Sequence, residues 1–177
     1  MKIFSTQLQG YFTKISQQEE MNIENSARLL AQASITGGSI YMFGTAEMQG
    51  VVLEALYGQE PLSGAKTLQP NQLADIGSED RMIIISRFST DPDAIALAKT
   101  LQQQGHSVIG ISAIKAGTES LEAYTDFHID TKLLQGLIPN EDGTRHGFPS
   151  IMIALFAYYC VKFTIEEILQ EYEEELS

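Results

Sequence analysis

The chain has 177 residues, 44% hydrophobic and 19% charged, which suits one folded domain with a real core and excludes global disorder. A net charge of −12 excludes nucleic acid as a partner, since binding it takes a basic face. The single cysteine, Cys160, excludes an internal disulfide, and the longest apolar run, Ile151 to Val161, is too short for a membrane span of about 20 residues. The N-terminus has no long apolar stretch of the signal-peptide kind, so a cytoplasmic protein with no membrane partner is expected.

Residues 3 to 18 suit a first helix, with Phe4, Leu8, Tyr11, Phe12 and Ile15 at three- and four-residue spacings. A second helix is predicted from Asn22 to Ala33, stopped by Gly37-Gly38. "SIYMFG" reads as a buried strand, "TAEMQGVVLEALYG" as a helix closed by Gly58, and Ala65 to Leu68 as a weak strand. "RMIIIS" is an uninterrupted apolar strand of the kind found where both faces of a parallel sheet are covered. The next helix has Asp91 as N-cap, Pro92 as its first residue and Gly105 as its stop. "SVIGIS" and "TDFHID" read as two more strands, and "PNEDGTRHGFPS" as the longest polar loop. "IMIALFAYYCVKF" is apolar on nearly all sides, so it reads as a buried helix or a subunit contact. The acidic cluster of Glu166, Glu167, Glu171, Glu173, Glu174 and Glu175 reads as a solvated helix face or tail.

Helices alternating with short apolar strands predict a single α/β domain over 1–177, a three-layer α-β-α sandwich around a central parallel five-stranded sheet. Ligands of such sheets bind beyond the carboxyl ends of the strands. Those ends are Gly44-Thr45-Ala46-Glu47, Ser86 to Asp91, and Ser112 to Gly117. The first two open into helices, whose N-termini carry free N–H groups suited to phosphate, and hydroxyls on Thr45, Ser86, Ser89 and Thr90 could complete an anion cradle. The alternative is that these residues merely cap helices and make turns.

Two leading helices, then "IYMFG" with its helix, then "MIIISRFSTDPDAIALAKTLQQQGHSVIGIS", resemble the sugar isomerase (SIS) domain family over about Asn22 to Phe163. The resemblance implies a flavodoxin- or Rossmann-like topology and a Ser-x-Ser-Gly-x-Thr-Pro-Glu loop after the "RMIIIS" strand. Ser86 matches the first Ser, Pro92 the Pro and Asp93 the acidic residue. Phe88 stands for the second Ser, Ser89 for the Gly and Asp91 for the Thr. The family's Gly-x-Gly-x-Ser keeps only Gly44, with Ala46 and Met48 in place of the later residues. Hydroxyl donors are thereby lost, and carboxylates are gained at Glu47 and Asp91, where they repel a second anion. Arg87 could compensate.

In layout the chain is similar to phosphoheptose isomerases within that family. Aldose–ketose isomerisation needs an acid and a base across an enediol. The resemblance implies a Glu after the first loop, best matched by Glu54, and a His on the last core helix. That helix has no His, so His146, beside Arg145 in "GTRHGFPS", is the substitute. The pair Arg145-His146 is also read as touching a ligand. No spacing suggests a metal site and no cofactor is implied. Three functions stay open: binding of a phosphorylated sugar or similar small anion, a phosphoheptose-type isomerase with Glu54 and His146, or an interaction module without ligand. A homodimer or higher homo-oligomer is expected under each, because the apolar helices exceed what one small sheet covers and SIS domains commonly build their sites between subunits.

Overall fold

The computed structural model describes residues 1–177. Two helices, α1 (Lys2–Gln18) and α2 (Glu20–Thr36), lead into β1 (Ile40–Gly44). Only Glu19 separates them, and Gly37, in the left-handed region at φ 80°, ends α2 as the Gly-Gly pair predicts. Then follow α3 (Gln49–Tyr57), β2 (Ala65–Thr67), β3 (Arg81–Phe88), α4 (Pro92–Gln103), β4 (Ser107–Ala113) and β5 (Phe127–Asp130). A small hairpin, β6 (Ile138–Pro139) and β7 (Arg145–His146), precedes the long helix α5 (Ser150–Leu176).

The five main strands form one parallel sheet in the order β2-β1-β3-β4-β5. Alternate side chains of β3 explain the three layers. Ile83 and Ile85 enter the core shared with α1, α2, α3 and α5, while Met82 and Ile84 enter the one shared with α4. All four are fully buried. Each such side chain contributes about 1.5–3 kcal/mol on burial, and a one-residue slip would exchange the two sets between layers of different shape.

Several boundaries differ from those predicted. The segment after Gly44 is not one helix: a 3₁₀ turn at Ala46–Met48 precedes α3. Strand β3 runs on to Phe88 through a register shift between Ile85 and Phe88, so Ser86 and Arg87 belong to the strand and not to the loop. The polar loop before α5 holds the β6–β7 hairpin, with Ile138 opposite His146 and Pro139 opposite Arg145. The acidic cluster continues α5, whose apolar part anchors it. No helix is long and apolar enough to cross a membrane.

Candidate functional site at the carboxyl edge of the sheet

The strand order reverses direction between β1 and β3, because the chain steps from β1 out to β2 and then back to the other side. Loops leaving such neighbouring strands diverge and leave a crevice. Here it has a volume of about 250 Å³ and is lined by Thr45, Ala46, Glu47, Arg87, Phe88, Thr90 and Asp91. Every one of these residues is among those the sequence nominates. Gly44 lies beneath: a Cβ there would collide with the Met48 carbonyl, so the turn passes only with glycine. Ala46 has φ 47°, a left-handed conformation that costs a residue with a Cβ about 1–2 kcal/mol.

The charges in the crevice are paired with one another. Arg87 Nε and Nη2 each donate to the Glu47 carboxylate at 2.7 Å, a bidentate pair. Ser150 Oγ donates to the same carboxylate at 2.8 Å, tying it to the start of α5. The Arg87 hydrogen bond is the chief reason that the Glu47 carboxyl is held down to about 2; burial opposes it and Ser150 adds to it. Asp91 caps α4: its Oδ1 accepts from the amides of Asp93 and Ala94 at 3.0 and 3.1 Å, and its Oδ2 accepts from Thr45 Oγ1 at 2.9 Å.

The hydroxyls separate into two groups. Ser86 is buried and donates to the Phe88 carbonyl at 2.8 Å. Ser89 is buried too, and its Oγ accepts from the Lys115 amide at 3.0 Å. Both serve the backbone, and neither lines the crevice. Thr90 faces the crevice. Phe88, in the place where the resemblance expects a hydroxyl, meets Phe148 edge to face at 5.9 Å and carries the Lys115 ammonium 4.7 Å above its ring. Arg87, Phe88, Phe148 and Ser150 line an adjoining cleft of about 340 Å³.

Neither of the two residues nominated for proton transfer lines the crevice. Glu54 Oε1 accepts from Tyr159 Oη on α5 at 2.7 Å. His146 is exposed on β7. Arg145 spends its guanidinium on the Gly136 and Leu137 carbonyls, at 2.6 and 2.8 Å, and so clasps the hairpin. His128 is buried, its Nε2 3.0 Å from Ser112 Oγ, and desolvation lowers its pKa. No group of three His, Cys, Asp or Glu side chains could hold a metal ion. Ser150, Phe148 and Lys115 are the neighbours that sequence reasoning missed. Only Lys115 had a signal, lying in the strand end Ser112–Gly117.

The chain belongs to the family described as domain of unknown function (DUF2529), whose model matches residues 1–169. It is 44% identical over 172 residues to the Bacillus subtilis protein YwjG, covering 97% of this chain and 99% of the relative. Among solved structures, a proposed phosphosugar isomerase involved in capsule formation, from Bacteroides fragilis, matches with a TM-score of 0.67 at 12% identity, over 92% of this chain and 86% of that one. The Vibrio vulnificus NanR protein complexed with ManNAc-6P matches with 0.65 at 13%, over 98% and 63%. The sugar isomerase domain of the RpiR transcription factor from Sphaerobacter thermophilus matches with 0.58 at 13%, over 98% and 97%. The fold is therefore that of the SIS-like α/β sandwich.

Proposed function

We propose that this protein binds a phosphorylated sugar in the crevice between the ends of β1 and β3. The observation that carries this reading is the polar lining at the switch point. Thr45, Glu47, Thr90 and Asp91 offer hydroxyls and carboxylates suited to sugar hydroxyls, in a fold whose neighbours include a protein complexed with ManNAc-6P. Carboxylate oxygens accept from vicinal hydroxyls, and Glu47 Oε2 and Asp91 Oδ2, which accept one bond each, keep a lone pair for that purpose.

Binding is favoured over isomerisation, because Glu54 is engaged by Tyr159 and neither it nor exposed His146 lines the crevice. A reading as an interaction module rests on a different observation: Arg87 and the α4 amides are already satisfied by Glu47 and Asp91. We also propose a homodimer. Leu53 and Tyr57 on α3 and Phe163 on α5 are exposed beside the Glu54–Tyr159 bond, and a two-fold pairing buries one such patch on both copies.

The test is a thermal-shift screen with ManNAc-6P, a panel of pentose, hexose and heptose phosphates, their unphosphorylated sugars and inorganic phosphate. A ligand at 100 times its Kd stabilises by about 2.7 kcal/mol. Stabilisation by a sugar phosphate, reduced by Thr90→Val, supports the reading. Silence from every sugar phosphate at millimolar concentration favours the interaction module.

A further inference from the structure

Where the phosphate goes is a separate matter from whether a sugar phosphate binds. The usual place in this architecture, the N-terminus of the helix after β3, is closed. Pro92 has no N–H, the Asp93 and Ala94 amides donate to Asp91 Oδ1, and the Ile95 amide donates to the Asp91 carbonyl. Arg87 is taken by Glu47 on two nitrogens.

Next to the crevice lies a larger cleft of about 550 Å³, between α4 and the loop that leaves β4. Thr90 lines both, so the two adjoin at this residue. The loop is tightly seated: the Lys115 amide is fixed to buried Ser89, and a Cβ on Gly117 would stand 2.6 Å from Thr90 Cγ2. Yet the amides of Thr90, Ala116, Gly117 and Thr118 donate to no acceptor within the protein. Residues 116–118 are exposed, and these amides are free to donate to an anion seated in the cleft. Lys115 flanks it without an acidic partner, resting on Phe88. Lys99 lies across the cleft, paired at 3.5 Å with Glu119, whose carboxylate also accepts from Tyr124 Oη at 2.9 Å.

We infer that the anionic group of the ligand is held by Lys115, the Thr90 hydroxyl and the Ala116–Thr118 amides, and not by the N-terminus of α4. The sugar hydroxyls then lie against Glu47 and Asp91 in the adjoining crevice. This assignment rests on the sugar-phosphate reading above and adds the ligand's orientation to it. It also accounts for the two carboxylates, which would repel a phosphate placed upon them and which suit a polyol.

The test follows backbone amides by ¹⁵N NMR while inorganic phosphate, and then the sugar phosphates, are titrated into the full chain. The expected result is shifts centred on Thr90 and 115–118, with affinity lowered about tenfold in Lys115→Gln, the worth of one charge-assisted contact. Lys115 is exposed, so the variant is expected to fold, and an amide spectrum unperturbed away from the site would confirm that. Shifts centred on Asp93 and Ala94, strengthened in Asp91→Asn, would overturn the assignment. So would sugar-phosphate binding that Lys115→Gln leaves intact, and in both cases the sugar-phosphate reading survives. Amides untouched by every probe would sink both.

Discussion

Replacing Glu47 by Gln tests how the crevice is held together. The carboxyl falls from 4.5 to about 2, and 4.5 − 2 corresponds to roughly 3.4 kcal/mol at 1.36 kcal/mol for each unit. That sum overstates the contribution, because the Glu47 and Arg87 side chains are 29% and 48% exposed and water screens the pair. Discounted for solvent, the pair contributes about 1 kcal/mol. The sign follows from the lowered value: the stabilisation is complete above the unfolded pKa of 4.5 and is lost as pH falls towards 2. Urea denaturation of wild type and Glu47→Gln is the assay. We expect a gap of about 1 kcal/mol at pH 7 that narrows steadily below pH 4.5. A cycle with Arg87→Gln should recover most of that gap as coupling between the two residues. Equal midpoints at pH 7, or a gap that ignores pH, would refute the view that this ion pair clamps the β1 loop to β3.

Asp91→Ala should cost about 1–2 kcal/mol, since it removes the α4 cap and leaves the buried Thr45 hydroxyl without its acceptor, whereas Asp91→Asn should lose less than half as much; urea midpoints decide. His128 should stay neutral where a free imidazole, of pKa about 6.5, is half protonated, because burial disfavours its charge. Stability should accordingly fall as pH drops from 6.5 towards the lowered folded value; an imidazole proton shift titrating at 6.5 by NMR would contradict this. Light scattering should report a dimer at micromolar concentration, and Phe163→Glu, at a half-exposed position, should yield a folded monomer; a wild-type monomer would remove the proposed contact.

How far the sequence could be read depended on the range of each interaction. The isoleucines of β3 and the Asp91-Pro92 start of α4 are local signals, and the strand and cap were found where those residues place them. The end of β3 was hidden, because Ser86 and Arg87 are polar and read as loop, while a register shift carries the strand past them. The β6–β7 hairpin has strands too short for any periodicity to register. Glu47 and Arg87 could each be nominated, but not their pairing, nor Ser150: Arg87 lies 40 residues from Glu47 and Ser150 lies 103 away, and a bond across such distances leaves no mark on nearby sequence.

The departures from the SIS motif share a physical feature. Asp91, where a Thr is expected, takes two α4 amides and the Thr45 hydroxyl. Glu47 takes Arg87 and Ser150. Phe88, where a Ser is expected, packs against Phe148 and under Lys115. Each of these three side chains has its own partner, while unpaired amides remain at Thr90 in the same loop and, one loop further on, at Ala116–Thr118. The pairing alone suits an interaction module equally; it is the unpaired amides beside it that favour the placement of the anion proposed above.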